Sequence, residues 1–299
     1  MKSVAVLLLA SVIAATAQTR PVTDEEVLRV HRSALIIDGH NDVTSKTVAG
    51  FDIAKSTTEG HTDIPRLRQG NIGAQFFAAY VGVNYIDERQ SAHRALQMID
   101  TIRHDIVGKN PQHFALATTA AEIEAARKQG RIAALIGIEG GHAIEDDLRL
   151  LRQFHNLGVR YLSFTHTRHL AWAGSSGEVG NPGLNDFGRS VVAEMNRLGM
   201  MIDVSHISSQ TLADTLAVTL APVFASHSSC RALANVPRNL TDAEIRAIAK
   251  GGGVIMVNFY CQFLTGRPKS KATIDDVVAH IDHVRKIGEI GRASCRERV

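Results

Sequence analysis

Seven runs of apolar, strand-like residues, at 34–38, 72–81, 132–138, 159–164, 200–204, 223–226 and 254–259, recur along the chain with helix-forming sequence between them. An apolar run without polar alternation buries both of its faces, as a strand does in a parallel sheet covered by helices. The intervening segments carry helix signals: capping boxes at Thr23 to Glu26 and Thr241 to Glu244, and apolar residues at helical spacing over 187–198 and 274–287. This alternation is that of an α/β fold. No linker, internal repeat or low-complexity stretch interrupts it, so the economical architecture is a (β/α)8 TIM-type barrel, truncated at its C-terminal end so that the eighth strand is missing.

Both ends of the sequence read differently from its body. Lys2 precedes an apolar and small-residue stretch over 4–15, followed by Ala15-Thr16-Ala17, the pattern of a secretory signal peptide over residues 1–17. The stretch is shorter than the roughly 20 apolar residues of a membrane span, and no later segment is long and apolar enough to cross a bilayer. The expected mature protein is therefore exported, to the periplasm or outside the cell, with its barrel domain over 18–288. Residues 289–299, "EIGRASCRERV", are charged and poor in apolar residues, and are expected to be a non-native tail on a chain that naturally continues.

Charge excludes some partners. The net charge of +3, with 33 basic and 30 acidic residues and no basic run in the body, favours neither nucleic acid nor an anionic membrane. Three cysteines, Cys230, Cys261 and Cys295, allow one disulfide but no disulfide framework or zinc ribbon. Histidine is the residue in excess, with 14.

Several of those histidines fall at strand ends. In a parallel barrel the carboxyl ends of the strands meet on one face, where catalytic groups collect. In "LIIDGHNDV", His40 and Asp42 are two apart and share a direction. Glu139 ends the third run, His206 follows the fifth and His227 the sixth. One His-x-Asp pair is weak evidence, and any of these groups alone could be a cap or a solvated loop residue. Together they place five oxygen and nitrogen donors on one face. If Glu139 bridges, one metal takes His40, Asp42 and Glu139, and the other takes Glu139, His206 and His227. Two ions about 3.5–4 Å apart can share a hydroxide and polarise a carbonyl.

The stretches "DGHND" (38–42), "IEGGH" (138–142), "RYLSFTH" (160–166), "GLNDFG" (183–188), "IDVSH" (202–206), "SHSSCRALANVPRN" (226–239) and "GGGVIMVNFY" (251–260) together resemble the membrane (renal-type) dipeptidases, the M19 metallopeptidases of the amidohydrolase-like barrels. The resemblance covers roughly 24–288. It implies two Zn2+ ions on the five ligands named above, and metal-dependent hydrolysis of a dipeptide by the bridging hydroxide. It also implies that His166 stabilises the oxyanion and that Arg238 binds the substrate carboxylate. The family's eighth-strand aspartate, which handles the proton, has no match after Ile287, so this chain is expected to be inactive or poorly folded as it stands.

Other residues take supporting readings. Asp38, His142 and Asp203 lie beside ligands and are candidates to orient imidazoles. The glycine-rich loop 167–185, with His169 and Trp172, is long enough to wall a pocket. Arg231 reads as an exposed helix-flank residue. His31, His61, His93, His104, His113, His155, His280 and His283 read as solvated, and the apolar face of 274–287 as core. The alternatives are another amide, lactone or phosphoester hydrolase, or a non-catalytic extracytoplasmic zinc-binding protein. A homodimer is left open.

Overall fold

The computed structural model describes residues 21–267 and 271–289, so the expected signal peptide and all but the first residue of the expected tail lie outside the described residues. The chain divides into two units, Met1–Ala34 and Leu35–Val299. The described part of the first contains the helix Asp24–Ser33, closed by the predicted capping box: the Thr23 hydroxyl accepts from the Glu26 N–H, and the Glu26 carboxylate from the Thr23 N–H.

The second unit is built on a wholly parallel sheet of β1 (Ile36–Asn41), β2 (Ile72–Tyr80), β3 (Phe114–Leu116), β4 (Ile132–Glu139), β5 (Val159–Ser163), β6 (Met201–Asp203), β7 (Phe224–Ala225) and β8 (Val254–Ile255). Seven strands follow the path β1-β2-β4-β5-β6-β7-β8, with β3 paired to β4 beside that path. This is a curled half-barrel of the TIM type, with seven strands along its path and no further strand joining β8 to β1 among the described residues. Each of the seven predicted runs contributes one strand. The additional strand β3 pairs residues 114–116 with 132–134, below the stretch of β4 that pairs with β5. Three residues are too few to show a period.

Side chains alternate between two apolar layers. Ala74 and Phe76 of β2, Ala133 and Leu135 of β4, Tyr161 of β5 and Phe224 of β7 form one cluster. Phe77, Ala134, Ile136, Ile138, Leu162 and Ile202 belong to the larger one. Phe76 and Phe224 come from strands that are not neighbours, yet both rings pack on Tyr161 with centroids 5.2 Å away. The first cluster is therefore the inside of the curl, filled by an aromatic plug. The period of two then carries Gly137 and Glu139 onto the same inner face as Leu135.

Register brings the strand ends to one level. Tyr80 pairs with Glu139, Glu139 with Ser163, and Ser163 with Asp203. The curl also carries β1 back toward the ends of β7 and β8. A Cβ on Gly39 would lie 2.2 Å from the Met256 sulfur and 2.9 Å from the Ser226 carbonyl oxygen, so "DGHND" needs glycine for this close approach.

Two expectations about the last helix, Ile274–Ile287, are corrected. Its bounds are as predicted, but Ile274, Val278 and Ile281 are exposed, and only His280 and Val284 are buried. Ile287 packs partly buried against the core, while Ile274, Val278 and Ile281 remain uncovered by any described element. His280 is not solvated: its Nδ1 accepts from the Cys230 N–H at 2.9 Å and its Nε2 donates to the Leu264 carbonyl at 3.0 Å. A buried imidazole needs both partners, and it ties the helix to two loops. His283, also expected in solvent, pairs with Asp242 at 2.7 Å. Cys230 and Cys261 are both free thiols, and Cys295 lies outside the described residues. No helix among the described residues is long and apolar enough to cross a membrane.

Candidate metal centre

Glu139 closes β4 with a buried side chain, and its two oxygens face different imidazoles. Oε2 lies 3.5 Å from His40 Nε2. Oε1 lies 2.9 Å from His206 Nε2, 3.4 Å from His227 Nε2 and 3.9 Å from His166 Nε2. His40 in turn contacts Asp42 at 3.2 Å, as their shared direction predicts, with the Asp42 side chain 68% exposed at the mouth. His206 and His227 bring their Nε2 atoms to 2.8 Å of each other, and the His40 and His227 rings stack at 3.8 Å. All five sequence-derived ligands and His166 thus converge from five strand ends.

The partition differs in detail from the expected one. One group of donors within 4.8 Å of one another is His40, Glu139 and His227, and the second is Glu139, His166 and His206. His227 stands between the two halves, and Asp42 reaches the cluster only through His40.

The electrostatics suit cations. Burial works to raise the Glu139 carboxyl, but the charge of His40 and hydrogen bonds from His206, His227 and His40 hold it well below the usual carboxylate range. Burial works to lower His40, yet Glu139 and Asp42 lift it well above an ordinary histidine. Burial, helped by Arg238, pushes His206 down to about 3, and burial with the neighbouring His40 lowers His227 as well. An ionised, dehydrated carboxylate beside the neutral imidazoles of His206 and His227 is the donor set of borderline divalent ions, and the acidic field that lifts His40 is one that a cation would satisfy, so these residues fit a metal.

The surroundings hold each ligand in place. His40 Nδ1 meets the Tyr161 hydroxyl at 2.9 Å. His227 Nδ1 meets the Ser226 Oγ at 2.7 Å, and that hydroxyl donates to Asp203 at 2.7 Å. His206 adopts a left-handed backbone, φ 70°, unusual outside glycine. Its carbonyl accepts from the Ser176 N–H at 2.7 Å, the Ser176 hydroxyl at 3.0 Å and the Thr165 hydroxyl at 3.2 Å, bonds that offset the strain. Of the three expected orienting residues, Asp203 acts through Ser226. Asp38 accepts from the His40 N–H at 3.1 Å. His142 is buried with no side-chain partner, and burial pushes it down to about 4.

A cleft of about 650 Å3 opens over the cluster, lined by Tyr80, Glu139, His166, Arg238, Tyr260 and Phe263, among others. Arg238 donates through Nη1 to Ser228 at 2.8 Å and through Nη2 to the His227 carbonyl at 2.6 Å, while its Nε has no partner. Burial pushes it down to about 10, against the pull of Asp203 and Glu139. Thr167, Ser176 and Gly177 of the long loop also face the cleft. Trp172 does not: it is buried between Phe164 and Phe187. His169 pins the loop by accepting from the Ser175 N–H at 2.9 Å. Arg231, expected to be solvated, instead donates to the Asn239 carbonyl at 2.9 Å and the Pro237 carbonyl at 2.6 Å, bracing both sides of Arg238.

A sequence model of the membrane dipeptidases, peptidase family M19, matches residues 24–292. The chain belongs to this family. It is similar to a metallopeptidase from Rhodobacter sphaeroides liganded with a phosphinate mimic of the dipeptide L-Ala-D-Ala, at 29% identity and TM-score 0.78 over 86% of this chain and 83% of that one. It is similar to dipeptidase AC, a family M19 metallopeptidase, at 30% identity and TM-score 0.77 over 85% and 82% of the two chains. An amidohydrolase from Pseudomonas aeruginosa shares 28% identity and TM-score 0.72 over 87% of this chain and 73% of its own. The protein is thus an M19 metallodipeptidase.

Three residues of this M19 site escaped the sequence reading: Tyr80, Tyr161 and Ser226. Tyr161 and Ser226 carry no charge to draw attention, and His40, the partner of Tyr161, and Asp203, to which Ser226 donates, lie on other strands. A parity signal existed for Tyr161, which is two residues from Ser163 and so shares its face.

Proposed function

We propose that this dipeptidase cleaves dipeptides with two zinc ions, which Glu139 would hold together with His40 and Asp42 on one side and His206 and His227 on the other. The observation that carries the reading is the division of that carboxylate, Oε2 toward His40 at 3.5 Å and Oε1 toward His206 at 2.9 Å. Bound there, the ions supply a water of lowered pKa and Lewis-acid polarisation of the scissile carbonyl.

The remaining steps belong to the chain's own side chains. Arg238 spends one N–H each on Ser228 and the His227 carbonyl, which leaves one hydrogen on each terminal nitrogen for the substrate carboxylate. Its bonds to the protein hold the guanidinium in one orientation, so the dipeptide is placed by its C-terminus. His166 stands on the Oε1 side of Glu139, and burial lowers its pKa so that it is neutral at pH 7. The Tyr80 hydroxyl lies 3.5 Å from His166 Nδ1 and can serve either tautomer; with hydrogen on Nε2, His166 would donate to the developing oxyanion. A phosphinate mimic of a dipeptide in the Rhodobacter sphaeroides relative supports the substrate class. Residues 1–17 support export, which N-terminal sequencing of protein from a periplasmic fraction would check.

The division of roles is open to a direct test. His40→Ala should lose bound zinc and activity together, whereas Arg238→Ala should keep its zinc and raise KM for dipeptides. Equal metal loss in both variants would refute it.

A further inference from the structure

We propose that Tyr260 and Phe263 form a specificity wall beside Arg238, and that this wall selects dipeptides whose C-terminal residue carries a large apolar side chain. The inference rests on the dipeptidase reading above, with Arg238 as the anchor of the substrate carboxylate.

The wall is built next to the anchor. The Tyr260 and Phe263 rings meet edge to face with centroids 5.0 Å apart. The guanidinium carbon of Arg238 lies 5.8 Å from the centre of the Phe263 ring, within cation–π range. Phe263 stands in the short helix Cys261–Thr265, and Tyr260 immediately precedes that helix. Asn239, the buried residue that follows Arg238, ties the two segments together: its amide donates to the Ala234 carbonyl and to the Phe263 carbonyl, both at 2.8 Å. Tyr260 is nevertheless 59% exposed, and with Phe263, Val236 and Pro237 it lines the cleft over the histidine cluster. Aromatic surface left open inside a cleft is gained back by an apolar group that covers it.

The anchor decides which part of a dipeptide reaches this surface. With its carboxylate on the free terminal hydrogens of Arg238 and its scissile carbonyl toward Glu139 and His166, the direction of the substrate backbone is set. The C-terminal side chain branches from the carbon bonded to that carboxylate, so it leaves the backbone beside Arg238. The N-terminal side chain is separated from the anchor by the whole peptide unit. Next to Arg238 the cleft offers the small or polar residues Thr167, Ser176 and Gly177, or the apolar wall. A large apolar side chain removes surface from water only against the second.

The experiment uses calorimetry to measure binding of phosphinate mimics of Ala-Phe, Ala-Gly, Ala-Asn and Phe-Ala to zinc-loaded full-length protein. Each mimic is prepared in both configurations at its C-terminal residue, and the tighter one is compared. The mimics are not cleaved, so the readout does not depend on turnover. Wild type should bind the Ala-Phe mimic about tenfold or more tighter than the Ala-Gly and Ala-Asn mimics, and tighter than the Phe-Ala mimic. Tyr260→Ala and Phe263→Ala should each shrink the ratio between Ala-Phe and Ala-Gly, whereas a merely structural role would weaken both mimics alike. The wall is overturned if Ala-Phe binds no tighter than Ala-Gly, if Ala-Asn or Phe-Ala binds tighter than Ala-Phe, or if both variants leave the ratio unchanged. Should a variant fail to fold, the wild-type ratios decide. A protein that takes up zinc and binds none of the mimics would refute the dipeptidase reading itself, and the wall with it.

Discussion

A Cβ on Gly137 would lie 1.9 Å from Cζ of Tyr161, so the tyrosine ring occupies the space in which any other residue of β4 would place its side chain. From there its hydroxyl reaches His40 on β1. Two inward positions on adjacent strands thus settle where a residue on a third strand points.

Gly137→Ala tests this relation. The ring has to move, and overpacking a tight core costs about 1–3 kcal/mol. The expected outcome is a melting temperature lower by on the order of several degrees, with weaker metal binding on the His40 side. Differential scanning calorimetry on metal-free protein, paired with a zinc titration, measures both. An unchanged melting temperature would mean that the ring is not confined as described.

Arg231 braces the carbonyls on either side of Arg238. Arg231→Met retains the apolar stem and removes both bonds. KM for dipeptides should rise several-fold, less than in Arg238→Ala, at unchanged zinc content. Steady-state kinetics beside metal analysis gives the answer, and an unaltered KM would return Arg231 to the solvated role the sequence suggests.

Glu194 supplies a pH dependence remote from the metals. Hydrogen bonds from Arg197, against burial, and a further one from Arg152 hold its carboxyl down at about 2, below the ordinary 4.5. A folded-state value below the unfolded one means that the unfolded chain binds more protons between the two. The ion-pair contribution is therefore complete above pH 4.5 and disappears as pH falls toward about 2. Wild type should melt above Glu194→Gln at pH 7, and the gap should close in acid. A gap independent of pH would rule out the ion pair as its source.

His280 bonds through both ring nitrogens. His280→Ala leaves the Cys230 N–H and the Leu264 carbonyl unpaired inside the protein, at a cost of about 1–3 kcal/mol each when no water replaces the ring. Urea unfolding should show a lower midpoint. A loss below about 0.5 kcal/mol, the range of ordinary surface substitutions, would show that the helix Ile274–Ile287 does not depend on this imidazole.

Much of this molecule was legible in one dimension. Continuous apolar runs named the seven strands of the path, because burial on both faces marks every residue of an inner strand such as β4, although Ile37 of β1 and Val254 of β8 are exposed at the ends of the sheet. The period of two put His40 with Asp42, and parallel pairing put Glu139, His206 and His227 at the same end. The helix Ile274–Ile287 was read to the residue. Where local sequence was short or neutral the reading failed: β3 has three residues, and Tyr161 and Ser226 look like any strand residues.

The tertiary structure decided what depends on contact between distant strands. Tyr161 is 121 positions from His40, so no local pattern could pair a phenol with that imidazole. The left-handed turn at His206, the bracing of Arg238 by Arg231 and the burial of His280 likewise exist only once the loops are packed. Composition and periodicity act along the chain and determine which residues arrive at the carboxyl face of the sheet. The direction of each hydrogen bond there depends on which donors and acceptors the curl brings within 3 Å, and that is a property of the folded sheet alone.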